Sequence, residues 1–244
     1  GGAILPTYDA LFGHNADEDP AKGDPIELIV PANEQGAGFM AAGYARASGK
    51  VGVFIVTSGP GATNCVTPIR DCMADSVPVV LICGQVPRNA IGTDAFQEAP
   101  VFNIMSACAK KAFLVLDPEE LEATVRTAFE IARSDRPGPV VIDVPKDVQN
   151  WKGIYKGEGL LPLRGYRERM QELYAARMPE SKTKAFFDIL AKSEKPLLYA
   201  GGGVIKSDAS RELRQFATTL NIPVVTTLQA IGSFDTTHPL SLHM

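Results

Sequence analysis

Four short runs of almost unbroken apolar residues set the first limit on this chain. They are Ile26–Pro31, Val51–Ser58, Val77–Gly84 and Pro139–Pro145, with helical patterns between them. A strand that is apolar on both faces has to be covered on both. Helices laid over the two faces of a parallel sheet achieve that cover. The pattern predicts an α/β fold on a parallel sheet.

The intervening helices carry their own stop and start signals. Glu34–Ser48 runs into Gly49, placed for a left-handed C-cap. Ala62–Asp75 follows a glycine turn. Pro118–Arg133 is predicted to open as a capping box, with Asp117 as N-cap, Pro118 at the first helical position and Glu120 three residues after the cap. The segment Asp147–Pro179 is rich in Lys, Arg and Gly and holds the single tryptophan, Trp151. It reads as a linker with one short helix near Glu168–Ala176. A second α/β pattern follows: helix Lys182–Ser193, strand Pro196–Ala200, Gly201-Gly202-Gly203, helix Ala209–Leu220 and strand Ile222–Thr227. The expected organisation is a domain over residues 1–150, a linker over 151–177 and the start of a second domain over 178–244.

Charge and composition exclude some partners. A net charge of −4 gives no electrostatic reason for binding nucleic acid or an anionic membrane. No apolar run reaches the roughly 18 residues of a spanning helix. Cys65, Cys72, Cys83 and Cys108 lie in apolar stretches without CxxC spacing, and are expected to be buried and reduced. His14, His238 and His243 show no metal-ligand spacing, and no metal ligand is assigned in this chain. The chain opens on Gly1-Gly2-Ala3 and stops at Leu242-His243-Met244. It is expected to be a piece of a longer protein.

Three segments place chemistry at strand ends. Pro31 closes a predicted strand, and Glu34 follows in the first helical turn, where ligand sites of open α/β sheets gather. A carboxylate there also complements the helix dipole without any ligand. Thr57-Ser58-Gly59-Pro60-Gly61-Ala62-Thr63-Asn64 lets backbone approach a ligand closely, yet no Gly-Lys-Ser/Thr makes it a P-loop. The third, Gly84-Gln85-Val86-Pro87 with Ile91–Glu98, puts Phe96 and Gln97 in a polar loop, unless Phe96 folds back onto the core. Leu198–Gly203 is a strand running into a glycine turn that lacks GxGxxG spacing.

Together the blocks are more specific than any one of them. GGAILPTYDAL, NEQGAGFMAAGYARASGKVGV, VTSGPGATN, GQVP, IGTDAFQEA, RPGPVVIDVPKDV and TTLQAIGSFD follow one another as they do in acetolactate (acetohydroxyacid) synthase large subunits. The sequence resembles that family over nearly its whole length, apart from Trp151–Arg177.

The resemblance implies a pyrimidine-binding domain of the thiamine-diphosphate fold, then the start of a Rossmann-like central domain that cradles FAD. The diphosphate- and Mg²⁺-binding domain would lie outside this chain. It implies that Glu34 bonds N1′ of the cofactor's aminopyrimidine as a partly buried carboxylate of raised pKa, with Gln97 as a second catalytic residue. Pro60 and Asn64, with Glu34 and Gln97, would contact thiamine diphosphate. Gly2, Ala3, Val86, Phe96 and Lys146 would form the substrate entrance. Arg136, Gly201, Gly202, Thr227, Leu228 and Gln229 would contact FAD.

The implied reaction decarboxylates pyruvate and joins the two-carbon unit to a second 2-oxo acid, in branched-chain amino acid biosynthesis. The implied partner is a second copy of the subunit, in a dimer or tetramer, with a small regulatory subunit a further candidate. The expected location is cytoplasmic, or an organelle in a eukaryote. The fragment alone is expected to be inactive. Two departures stand out: Asn33 where the family has His before the glutamate, and Asn103-Ile104-Met105-Ser106-Ala107 where it has Gly-Ile-Ser-Arg-Pro. The alternatives are another thiamine-diphosphate decarboxylase, oxidase or ligase, or a non-catalytic nucleotide-binding module.

Overall fold

The computed structural model describes residues 1–17, 23–154 and 178–244, with positions 159, 161, 163, 168 and 171. The chain divides into two compact units, Gly1–Tyr174 and Ala175–Met244.

The first unit is built on four parallel strands, β1 (Gly52–Val56), β2 (Val79–Gln85), β3 (Lys111–Leu114) and β4 (Val140–Pro145), in the order β1-β2-β4-β3. Every residue of β4 is buried, as is all of β2 except Ile82. Side chains alternate between faces along each strand, so the strands feed two cores. Val79, Leu81, Cys83 and Val141 pack with Ala41, Ala42 and Ala45 of α2 (Glu34–Ser48) and with Ile69 and Cys72 of α4 (Val66–Asp75). Val80, Val140, Ile142 and Val144 pack with Ala128, Ile131 and Ala132 of α6 (Leu121–Arg133). Burying each large aliphatic chain contributes about 1.5–3 kcal/mol before conformational entropy is charged against it.

Helix α2 is the element that positions the site. Asn33 caps it, its Oδ1 accepting the Gly36 N–H at 2.7 Å. Asn33 is thus a favourable N-cap residue. Gly49 ends the helix at φ 70°, as expected. The face turned to the sheet is small, with Gly38, Ala41, Ala42 and Ala45. A Cβ at Gly52 of β1 would fall 2.1 Å from the Ala41 carbonyl oxygen, so helix and strand touch backbone to backbone.

Several expectations are corrected. Ile26–Pro31 forms no strand among the described residues, and Val30 is 81% exposed. The Asn15 side-chain amide instead takes both peptide groups of Ile26, at 2.8 Å each, as a neighbouring strand would. The helix expected over Ala62–Asp75 is two, α3 (Pro60–Thr63) and α4, because the ring of Pro68 would clash with the carbonyl four residues back. Asp117 accepts from the Glu119 N–H at 3.0 Å and opens a 3₁₀ turn, Pro118–Glu120, before α6 begins. The short helix foreseen near Glu168–Ala176 lies outside the described residues. Unforeseen elements are α1 (Leu5–Asn15), α5 (Val101–Ser106), β3 and α7 (Lys146–Gln149). Cys65, Cys72 and Cys83 are buried free thiols and Cys108 is half-buried.

The second unit pairs two short parallel strands, β5 (Leu198–Ala200) and β6 (Val224–Thr226). Its helices are α8 (Glu180–Ala191), α9 (Gly203–Lys206) and α10 (Ser210–Leu220). Ala200, Ala217, Val224 and Phe234 form its core. No helix among the described residues is long and apolar enough to cross a membrane.

Candidate active site at the carboxyl ends of the strands

The carboxyl ends of β1, β2 and β4 lie side by side, and the starts of α2, α3 and α7 converge there. Glu34 stands in the first turn of α2, and Asn64 Nδ2 donates to its Oε2 at 3.0 Å. Gly61 lies under the pair: a Cβ there would sit 3.6 Å from Glu34 Oε1 and 2.7 Å from the Thr57 methyl carbon. The Thr57 methyl therefore fills the place that a side chain at residue 61 would take beside the carboxylate. Pro60 opens α3 one residue earlier.

Gly59 joins this corner to the next loop. Its φ is 56°, and any Cβ would stand 2.3 Å from the Gln97 carbonyl oxygen. Both facts demand glycine, and both tie Gln97 to the strand end. Phe96, beside it, is 90% exposed, so it is no core phenylalanine. Val86 is buried at the end of β2, its N–H donating to Gln85 Oε1 at 2.8 Å. Lys146 opens α7 at the end of β4.

The first residues cover the same edge. The Ala3 carbonyl accepts from Gln149 Nε2 at 2.8 Å and rests on Gly84, where a Cβ would come within 2.7 Å of it. Gly1 abuts Thr57, whose buried hydroxyl has no partner among the described residues. The structure thus gathers Glu34, Pro60, Asn64, Gln97, Gly2, Ala3, Val86 and Lys146 at one edge.

Arg136 is elsewhere. It precedes β4, at the opposite edge of the sheet. Its Nε donates to Ser76 Oγ at 2.7 Å, and its Nη2 to the Met73 and Ala74 carbonyls at 3.3 and 2.9 Å. It caps the C-terminus of α4, where a cation suits both the open carbonyls and the helix dipole. Gly201, Gly202, Thr227, Leu228 and Gln229 belong to the second unit and meet within it. The Thr227 N–H donates to the Ala200 carbonyl at 2.9 Å, and a Cβ on Gly202 would come within 2.9 Å of Gln229 Cβ.

The electrostatics correct one expectation. The Glu34 carboxyl is held below the usual range, not above it, because the Asn64 amide and a backbone N–H bond its charged form and outweigh slight burial. The raised carboxyl is Asp143, pushed up to about 7 by burial, with Gln85 opposing. Gln85 Nε2 donates to Asp143 Oδ2 at 3.1 Å, while Asp143 Oδ1 is buried without a partner among the described residues. Sequence reasoning passed over this pair, though a lone carboxylate inside Pro139–Pro145 was a visible signal. It also passed over Arg88, whose backbone N–H and Nε donate to Asp147 at 3.0 and 2.6 Å, and over Glu98.

The arrangement is a carboxylate with an amide beside it, able to accept a hydrogen bond from a ligand and share its proton. Residues 1–107 match the family described as "Thiamine pyrophosphate enzyme, N-terminal TPP binding domain". Residues 183–244 match its central domain. The chain belongs to the thiamine pyrophosphate enzymes.

Among members of that family, this thiamine pyrophosphate-enzyme chain is 47% identical over its full length to a mitochondrial acetolactate synthase catalytic subunit of Saccharomyces cerevisiae, covering 34% of that protein. It is 45% identical to an acetolactate synthase large subunit of Corynebacterium glutamicum, again over its full length and 37% of the relative. A chloroplastic acetolactate synthase of Arabidopsis thaliana is 43% identical, with 100% of the chain and 34% of the relative covered. The chain spans about a third of the length of these relatives.

Proposed function

We propose that this chain is the front part of an acetolactate synthase catalytic subunit. The full-length protein would decarboxylate pyruvate and join the two-carbon unit to a second 2-oxo acid. The observation that carries this reading is the Glu34 carboxylate, bonded by Asn64 at 3.0 Å at the carboxyl ends of the strands.

Those residues fit the pyrimidine half of thiamine diphosphate. A ring nitrogen needs a carboxyl partner, which Glu34 supplies, held in place by the Asn64 amide. When bound, the cofactor supplies the electron sink for loss of CO₂ from a 2-oxo acid and for transfer of the remaining two carbons. Glu34, ionised at neutral pH, would accept a hydrogen bond from a protonated N1′ and share that proton. Asn64 steadies the carboxylate. Pro60 and Gln97 complete the ring's surroundings, and Gly2, Ala3, Val86, Phe96 and Lys146 line the approach for substrate. Mg²⁺ and the diphosphate would be held by residues outside this chain, contributed at a subunit boundary by a second copy of the protein.

The second unit is read as an FAD contact. Gly201 would have nothing within 4 Å of an added Cβ, so backbone is open to a ligand there, beside Thr227, Leu228 and Gln229. Arg136, in the first unit, is carried over as an FAD contact by resemblance alone. With Nε and Nη2 already engaged, Nη1 is the donor it would offer a pyrophosphate.

Product analysis tests the function. Full-length protein supplied with pyruvate, thiamine diphosphate, Mg²⁺ and FAD is expected to form acetolactate, and the homologous acid when 2-oxobutyrate is added. Acetaldehyde or acetyl phosphate as sole product would point to a decarboxylase or oxidase of the same family instead. The chain of residues 1–244 alone is expected to turn over no pyruvate.

A further inference from the structure

The loop from the end of β2 to α5 is organised around one carboxylate. Glu98 accepts the Gly92 N–H through Oε1, and the Ala95 N–H through Oε2 at 3.0 Å. Those N–H groups hold the Glu98 carboxyl below its ordinary range, Gly92 having the larger influence. Inside the loop three residues take left-handed backbone: Gly92 at φ 84°, Asp94 at 57° and Gln97 at 58°. For Asp and Gln that conformation persists where surroundings impose it.

The loop is clamped outside as well. The Gln97 backbone lies against Gly59, with no room for a side chain between them. One residue past Glu98, the Ala99 carbonyl accepts from buried Gln85 Nε2 at 3.2 Å, and Gln85 is in turn held by Asp143. Despite this order the tip buries little: Phe96 is almost wholly exposed. Loops usually gain order by folding an aromatic ring inward. This one is ordered by its backbone N–H groups and leaves the ring out, so its design favours presentation over packing.

We propose that Glu98 is a positioning residue, whose carboxylate fixes the Phe96–Gln97 tip so that Gln97 stands ready beside Gly59 and Pro60 before cofactor or substrate arrives. The inference rests on the reading of Gln97 as a cofactor contact. Preorganised groups act without being ordered during the reaction, and a displacement of about 1 Å can cost on the order of 100-fold in rate.

The test uses full-length protein with Glu98→Gln and Glu98→Ala. First, amide hydrogen exchange over residues 90–98 is measured without thiamine diphosphate. Glu98→Ala is expected to exchange roughly tenfold faster or more there. Glu98→Gln is expected to show a smaller rise, since one acceptor oxygen remains. Second, steady-state turnover of pyruvate is measured. Glu98→Ala is expected to lower kcat on the order of 10- to 100-fold, with KM nearly unchanged. In a Gln97→Ala background the same change should cost less than about twofold further, because two residues acting through one contact are non-additive.

Unchanged exchange overturns the claim that the carboxylate holds the loop. Faster exchange with unchanged kcat overturns its positioning role, and a full additional loss in the Gln97→Ala background overturns its action through Gln97. Should the wild-type protein form no acetolactate, the proposed reaction fails by itself. The exchange comparison and the dissociation constant for thiamine diphosphate, expected to rise in Glu98→Ala, still decide the role of Glu98.

Discussion

Two strand-to-helix turns of this chain contain clustered glycines, and they use them in opposite ways. In the first unit, Gly59 and Gly61 are required by the protein's own packing. Gly59 is left-handed and pressed against Gln97, and Gly61 is pressed against Thr57 beside Glu34. In the second unit, Gly201 and Gly203 would meet nothing within 4 Å if given a Cβ, and Gly202 alone is packed, against Gln229. A sequence shows two similar glycine turns. Only the surroundings reveal that one is a filled corner bearing a carboxylate, while the other is open backbone. The filled turn suits precise chemistry on a small ring, and the open one suits an extended ligand laid along main chain.

The largest effect that can break this contrast is at Glu34. Glu34→Gln in the full-length protein should lower turnover of pyruvate by about 10²- to 10⁴-fold, the range for losing a positioned proton-transfer group. Its far-UV circular dichroism and FAD content should stay the same, since among the described residues its side chain makes a single side-chain bond, to Asn64. A variant with near-normal rates would reduce the first turn to mere packing.

Asp143 sharpens the contrast from beneath, since it braces the first turn's edge through Gln85. Its folded pKa of about 7 lies above the ordinary aspartate value. Its favourable contribution is therefore fully present below the unfolded pKa near 4 and is lost as pH rises through about 7. Asp143→Asn, which keeps an oxygen to accept from Gln85, should therefore raise Tm relative to wild type at pH 8 and lose that advantage toward pH 4. Parallel melting curves across that pH range would place the charge elsewhere.

Next comes Gly59→Ala, expected to destabilise the protein by about 1–3 kcal/mol through left-handed strain and the clash with Gln97. Gly203→Ala is the smallest effect, within about 0.5 kcal/mol of wild type. Urea denaturation of the pair measures both. Equal losses would erase the distinction between the turns.

Much of this was legible in the chain. β1, β2 and β4 announce themselves as apolar runs, and α2 by Gly49 and its alanine face. The rest was not, for local reasons. β3 has four residues and begins at Lys111, too short and polar to stand out. Ile26–Val30 has a strand's composition, but its partner at Ile26 is a side-chain amide, which no periodicity reveals. Glu34, Asn64 and Gln97 could be named from motif order. Their electrostatics could not, because the lowered pKa of Glu34 depends on a contact across 30 residues of sequence. The apolar setting of Asp143 was visible, whereas its link to the Gln97 loop through Gln85 emerges only in three dimensions.

The proposed role of Glu34 stands or falls on a proton shared between its carboxyl and the bound ring. It is tested most directly by the rate at which C2 of enzyme-bound thiamine diphosphate exchanges its hydrogen for deuterium, followed by acid quench and proton NMR. The full-length wild type should exchange faster than its Glu34→Gln variant by two orders of magnitude or more, on the order expected of acid–base assistance. Equal exchange rates in the two proteins, both loaded with cofactor, would contradict the account.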